Sequence, residues 1–332
     1  MKNLIQKLVE SVGPSGYEEA VRDLVRSEIE PFADEIRIDA LGNLIARKGT
    51  KKPDGLRIML SAHMDEIGLM VTHVDENGFV RFTNLGGVRA LYCMGSRVRF
   101  VNGTQGTINS ERLQPSDQVP QLEKMFIDVG ATSRKDCPVQ VGDVAVFDRP
   151  LLDLGSRLVA KAMDNRISVA VQIETMRLLK NSPHELLFVF SVQEELGLRG
   201  ATTAAFSADP DLGISVDVTL TGDTPKGIKM EVSLGKGPAV KVRDGRMLSD
   251  PRVVRWMVET AQRARLPYQL EVLEAGSTDA AAIQLTRAGV PSGCVSIPCR
   301  YVHSPSEMVD YGDVQNAVKL LLELLSNPIH LK

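Results

Sequence analysis

The sequence predicts an α/β protein, a sheet covered on both faces by helices and interrupted by a small β domain. Three observations carry that expectation. Helix-period and strand-length apolar segments alternate up to residue 66 and again from 158 onward. Between 67 and 157 the texture changes to closely spaced glycines ("ENG", "LGG", "VNG", "TQG", "DVG", "QVGD") separated by short runs such as "RVRFV" and "MFIDVG", which suits a compact all-β unit. With 332 residues, 43% of them hydrophobic, the chain can bury one large core or two smaller ones.

The elements follow in order. "MKNLIQKLVESVGPSG" reads as an amphipathic helix closed by Gly-Pro, without the apolar run or cleavage site of a signal peptide. A second helix starts at "SGYEEAVRDLVRSEIEPF", where Ser15 and Glu18 have capping-box spacing and Ala20, Val21, Leu24, Val25 and Ile29 form an apolar face. "IRIDALGNLIARKG" predicts two short strands about a Gly-Asn turn, and "LRIMLSAHMDE" a strand ending in polar residues. After the β insert, "RISVAVQIETMRLLKN" predicts a helix with Ile167, Ala170, Val171 and Leu178 on one side. "ELLFVFSV", "DLGISVDV", "PAVKVRD", "YQLEVLEA" and "SGCVSIP" predict strands, with helices at "DPRVVRWMVETAQRA" and "TDAAAIQLTRAG" between them. The last helix is the clearest, its Val314, Ala317, Val318, Leu321, Leu322 and Leu325 following the 3.6-residue period.

Composition narrows the function classes. A net charge of −3 and a single Trp give no basic, aromatic-interleaved surface for nucleic acid or anionic membrane. No apolar run reaches membrane-spanning length. The four cysteines, Cys93, Cys137, Cys294 and Cys299, lack C-x-x-C spacing and suit a reduced, cytoplasmic setting. Cys294 and Cys299 read as buried thiols, His73, His184 and His330 as surface residues, and Ser61 and Ser191 lack a nucleophile-elbow setting.

In α/β sheets ligands bind beyond the carboxyl ends of strands, and five places there carry chemistry. His63 and Asp65 in "SAHMDE" are two residues apart, the spacing of a metal-binding imidazole and the carboxylate that orients it. Asp164 in "KAMDNR" directly precedes a helix, where an N-cap role competes with a ligand role. Glu194 and Glu195 end the strand in "LLFVFSVQEELGLRGA", and Asp217 sits late in the apolar "GISVDV". His303 in "PCRYVHSPSE" precedes Ser304–Glu307, a second capping box with Pro305 at the first helical position. Together these residues supply a two-metal site for zinc, cobalt or manganese, with a carboxylate able to bridge the ions. The lack of cysteine ligands points to a catalytic rather than a structural centre.

The order "AHMDEIG", "KAMDNR", "SVQEELGLRGA", "SVDVT", "GDTPKG" and "RYVHSPSE" resembles the M42 family of metallo-aminopeptidases over essentially the whole chain. The resemblance implies a peptidase domain of zinc-peptidase type, a mixed sheet flanked by helices, at 1–66 and 158–332, with a PDZ-like β domain inserted at 67–157. It implies His63 and Asp217 at one metal, Glu195 and His303 at the other, Asp164 bridging, Glu194 as general base and Asp65 holding the histidine. Family members form hollow dodecamers that admit unfolded peptides, or dimers. Two stretches depart from the family pattern: "NSERLQPSD" replaces a segment with a Pro-His pair, and "AGSTDAAA" stands where many relatives carry Gly-Gly. Gly276, Ser277, Thr278 and Asp279, with Arg300, are assigned to the substrate pocket.

On this reading one glutamate of the pair binds metal while the other takes a proton from an activated water and delivers it to the departing amine. The glutamate pair read as a glycosidase acid and nucleophile leaves His63, Asp164, Asp217 and His303 without a role. A metal-dependent deacylase on the same site, and a non-catalytic scaffold binding peptides by strand addition to the insert, stand as alternatives.

Overall fold

The computed structural model of the chain describes residues 1–112 and 120–331. Among them, helices α1 (Lys2–Glu10) and α2 (Glu19–Ile29) lead into the hairpin β1 (Glu35–Ile38) and β2 (Leu44–Lys48), then β3 (Arg57–His63). Next come β4 (Gly68–Val74), β5 (Val80–Leu85), the short helix α3 (Ala90–Cys93), β6 (Arg97–Phe100), β7 (Gln105–Ser110), β8 (Met125–Asp128) and β9 (Val144–Phe147). The chain returns through β10 (Leu152–Asp153), β11 (Arg157–Ala160), α4 (Met163–Leu178), β12 (Glu185–Ser191), α5 (Arg199–Ala208) and β13 (Leu212–Thr219). It finishes with β14 (Ala239–Arg243), α6 (Pro251–Arg263), β15 (Gln269–Val272), α7 (Asp279–Gln284), β16 (Ser292–Arg300), β17 (Glu307–Asp310) and α8 (Tyr311–Leu325).

Eleven described strands form one mixed sheet in the order β1-β2-β12-β3-β13-β16-β17-β11-β10, with β14 and β15 branching from β16. Strands β12, β3, β13 and β16 run parallel, so their carboxyl ends gather at one edge. Period-2 alternation decides which side chain meets which layer. Ile58, Leu60 and Ala62 of β3 and Leu186, Phe188 and Phe190 of β12 pack into a core shared with α1, α2, α4, α6 and α8. Met59, Leu187 and Val189 point the other way, against Ala204, Ala205 and Ala208 of α5 and Ile283 of α7. Burying each such large side chain is worth about 1.5–3 kcal/mol. Helix α4 is buried on nearly every side, and only its last turn is freed: Leu178, expected on the apolar face, is 47% exposed.

The inserted β domain is present as a closed six-stranded barrel, β4-β5-β8-β7-β6-β9. It has its own core, including Val80, Phe82, Val98, Phe100, Ile108 and Ile127, and closure leaves no unpaired edge. Leu152–Asp153, which the sequence reading puts inside the insert, pairs instead with β11 of the large sheet. Residues 113–117 of the "NSERLQPSD" stretch lie outside the described residues.

Three local readings are corrected. No capping box opens α2: its N-cap residue Glu18 makes no capping bond, and Ser15 turns toward Asp65. No helix starts at Ser304; Glu307 opens β17 instead. His184 is buried rather than on the surface, accepting from the Leu56 amide at 3.0 Å through Nδ1, with Nε2 2.9 Å from the Asn327 carbonyl. No described helix is long and apolar enough to cross a membrane.

Candidate metal centre and active site

The carboxyl ends of β3, β12, β13 and β16 bring the sequence-predicted residues together. His63, the last residue of β3, is buried, and its Nδ1 lies 3.1 Å from the Asp65 carbonyl and 3.4 Å from Asp65 Oδ1. A proton donated from Nδ1 to Asp65 leaves the Nε2 lone pair facing the cleft. That Nε2 lies 3.1 Å from Asp164 Oδ1 and 3.9 Å from both Glu194 Oε2 and Asp217 Oδ1. On the other side, His303 Nε2 is 3.4 Å from Asp164 Oδ2 and 3.2 Å from Glu195 Oε1. Asp164 therefore stands between two imidazoles and presents one oxygen to each.

Backbone geometry explains how adjacent glutamates serve one site. Strand β12 ends at Ser191, and the chain turns sharply through Gln193 (φ 53°) and Gly197 (φ 106°). The Asp65 carboxylate accepts from the Glu194 amide at 3.0 Å and the Glu195 amide at 3.1 Å. Both side chains then project off a turn instead of to opposite faces of a strand. Asp164 lies at the start of α4 in non-helical backbone (φ −75°, ψ 104°), so its carboxylate leaves the helix axis. The amides of Asp164 and His303 both donate to the Glu307 carboxylate, at 2.8 and 2.7 Å. Glu307 is a residue the sequence reading spent on a capping box; here it ties the chain segments of two ligand candidates.

The barrel also reaches the site. A Cβ on Gly86 would lie 2.9 Å from Glu195 Oε2, and one on Gly87 would lie 2.2 Å from His303 Nδ1. Only glycine fits there. Arg89, three residues after Gly86, lines the cleft. The "LGG" signal was visible in the sequence, but its neighbour across the domain boundary was not.

The cleft has a volume of about 640 Å³ and runs from the acidic cluster past Thr219 and Lys241 to Arg246 and Leu273. Gly276, Ser277 and Thr278 lie on its wall. Asp279 does not: it is buried behind the wall, accepting from Ser61 Oγ and Ser191 Oγ at 2.5 Å each. Ser61 lies two residues before His63, and Ser191 is the last residue of β12. Arg300 is also absent from the wall, because Asp223 engages its guanidinium at 2.9 and 2.7 Å. Lys241, Arg246 and Arg89 are wall residues that sequence reasoning missed.

Electrostatics test whether these residues suit cations. Four carboxylates face two imidazoles, in overlapping groups whose ligand atoms lie within 4.8 Å of one another. Burial, then the neighbouring Glu195 and Asp217 charges, holds Glu194 well above the usual carboxylate range. Asp217 is raised in the same way by burial and by Asp164. Burial works against charge on both imidazoles, yet Glu194 and the bonds to Asp164 and Asp65 raise His63. Asp164 and Glu195 push His303 up to about 12. The chain thus concentrates more negative charge than its own cations neutralise, and an all-oxygen-and-imidazole donor set fits a pair of borderline divalent ions.

Comparison with known proteins bears on the same residues. The sequence profile of the M42 glutamyl aminopeptidase family matches residues 42–320. The chain belongs to that family. A putative aminopeptidase of Acetivibrio thermocellus is 49% identical to it over 98% of each chain. The structure of an aminopeptidase from the archaeon Desulfurococcus kamchatkensis superposes with a TM-score of 0.94 at 39% identity, covering 98% of this chain and 94% of that one. The TET1 peptidase of Pyrococcus horikoshii, which can assemble into a tetrahedron or a large octahedral shell, gives a TM-score of 0.87 at 30% identity over 98% and 99% of the two chains. As an M42 member the chain is a metallo-aminopeptidase, an exopeptidase acting on peptides.

Proposed function

We propose that this M42 aminopeptidase removes N-terminal residues from peptides at a dinuclear centre. His63 and Asp217 would hold one ion and Glu195 and His303 the other, with Asp164 standing between the two. The position of Asp164 between the two imidazoles, with Glu194 beside it, carries the reading. Two divalent ions held here would lower the pKa of a water toward neutrality and polarise the scissile carbonyl. Glu194 would take the water's proton and hand it to the departing amine. Asp65 fixes the His63 ring through Nδ1 and the glutamate turn through its two amides. A free α-amine of the substrate would be held at this cluster, which would restrict cleavage to the first residue. Gly276–Thr278 form part of the wall beside that residue. The donor set suits zinc, cobalt or manganese.

The barrel, 68–147, together with the β10–β11 hairpin that follows it, is proposed to serve self-association into a dimer or dodecamer, and the shell-forming P. horikoshii relative supports self-association. Three buried thiols, Cys93, Cys294 and Cys299, support a reducing, cytoplasmic setting.

Chelator-stripped protein, assayed on a panel of aminoacyl-p-nitroanilides with each metal added back, tests the activity and reads the native metal. Glu194→Gln should keep both metals and lose turnover by about 10²–10⁴-fold, whereas Asp164→Ala should lose metal as well. Retained turnover in Glu194→Gln would overturn the assigned base. Stepwise N-terminal shortening of a peptide ladder separates an exopeptidase from a deacylase.

A further inference from the structure

We infer that the segment Gly13–Glu18, ahead of α2, is a positioning element for the catalytic turn, with Ser15 and Glu18 as its working residues. The inference rests on Glu194 acting as base. Three consecutive amides, of Gln193, Glu194 and Glu195, point at two buried carboxylates. Glu18 Oε1 accepts from Gln193 at 3.0 Å, and Asp65 accepts from Glu194 and Glu195 at 3.0 and 3.1 Å. Asp65 is itself fixed from the far side by Ser15 Oγ, which donates to its Oδ2 at 2.6 Å. Gln193 holds φ 53°, a left-handed conformation that a non-glycine residue adopts at a cost. The hydrogen bond from its amide to Glu18 ties this turn to the α2 end of the molecule.

Helix capping does not account for these side chains. Glu18 occupies the N-cap position of α2 without making a capping bond; its Oε1 takes the Gly16 amide at 2.7 Å as well as Gln193. Ser15 and Glu18 are 3% and 5% exposed, an expensive place for a carboxylate unless its bonds are used.

The segment is anchored where the metal candidates are anchored. Arg166 donates to the carbonyls of Leu8 at 2.7 Å and Gly13 at 3.2 Å, and Lys161 donates to Ser11 at 3.1 Å. Glu66 closes the contact by accepting from the Gly13 amide at 3.2 Å and from Lys161 at 2.7 Å. Lys161 and Arg166 flank Asp164 in sequence. One buried ionic cluster therefore references the N-terminal segment to Asp164, and that segment references the turn carrying Glu194. A Cβ on Gly13 would sit 2.7 Å from Val21 Cγ2 and 2.9 Å from Arg166 Nη2, so the close approach requires glycine.

A shift of about 1 Å in a positioned group can cost on the order of a hundredfold in rate. The test is steady-state kinetics of metal-loaded Ser15→Ala and Glu18→Ala, with metal content and Tm measured on the same preparations. The expected result is a fall in kcat of about 10- to 100-fold with KM within about twofold and both metals retained. Ser15→Thr and Glu18→Gln, which keep an oxygen at each position, should recover most of the loss. Unchanged kcat in both alanine variants overturns the inference, and so does a loss that the conservative variants fail to recover or that tracks missing metal. If Ser15→Ala does not fold, the Glu18→Ala and Glu18→Gln pair decides alone. Glu194→Gln run alongside separates the two failures: turnover there defeats the base assignment itself, whereas a dead Glu194→Gln beside normal alanine variants defeats only the positioning role.

Discussion

At the scale of single residues, Gly87 makes the sharpest demand. It belongs to the barrel half of the chain, yet any side chain there would drive into the His303 ring. Gly87→Ala should lower affinity for metal at the proposed His303 site by about 10- to 100-fold, the range for disturbing the support of a ligand, with little change in Tm of the stripped protein; equilibrium dialysis against zinc checks it. Protonation makes a second demand. Without metal, Glu194, Asp217, His63 and His303 all hold protons above their ordinary values. The metal-free folded state then binds more protons than the unfolded chain, whose carboxyls and imidazoles titrate near about 4 and 6.5. The stability these groups contribute is full below those values and is lost as pH rises toward their folded-state values, about 12 for His303, so Tm of chelator-treated protein should fall steadily above about pH 5. Metal displaces those protons, so its apparent affinity should rise over the same window, and a pH series of thermal melts with and without zinc measures both. The ligand candidates themselves were legible in the sequence, because a charged or imidazole side chain at the end of an apolar strand has few other reasons to be there. Asp279 and Arg300 were misplaced because their partners, Ser61, Ser191 and Asp223, lie up to 218 positions away.

At the scale of elements, the β3 exit and the α4 entry are locked by a buried ionic cluster. Lys161 and Arg166 both meet Glu66, with all three side chains 3% exposed or less. Burial presses the Lys161 ammonium down to about 8 despite that partner. Removing one member of such a cluster strands the others. Glu66→Ala should cost about 3–5 kcal/mol in urea denaturation, far more than an exposed pair such as Lys2 and Asp153 on the surface. The strands and most helices follow from apolar period alone, and so were readable. The two apparent capping boxes were not. Ser15–Glu18 and Ser304–Glu307 have the local spelling of a helix start, but Asp65, Gln193, Asp164 and His303 compete for the same oxygens and win. A four-residue pattern carries no information about partners as distant as Asp65, Gln193 and Asp164.

At the scale of the whole molecule, the hairpin leading to β11 leaves Leu152 and Leu154 more than half exposed at an edge of the large sheet. Apolar side chains on a strand edge mark a surface that another copy can cover. Light scattering should give a mass that is a multiple of the 36.3 kDa chain, and Leu152→Glu with Leu154→Glu should reduce it while the stripped protomer keeps its fold. An unchanged mass would locate the contact elsewhere. The α/β layout with a β insert was legible from texture; the closure of the insert into a barrel was not, since closure depends on β4 pairing with β9 across the whole domain. The barrel's contact with Glu195 and His303 also limits how this protein can be recombined. A chimera that grafts a relative's barrel onto this peptidase sheet must retain Asn84–Arg89 from its own chain, or the crossover will fall inside the reaction centre.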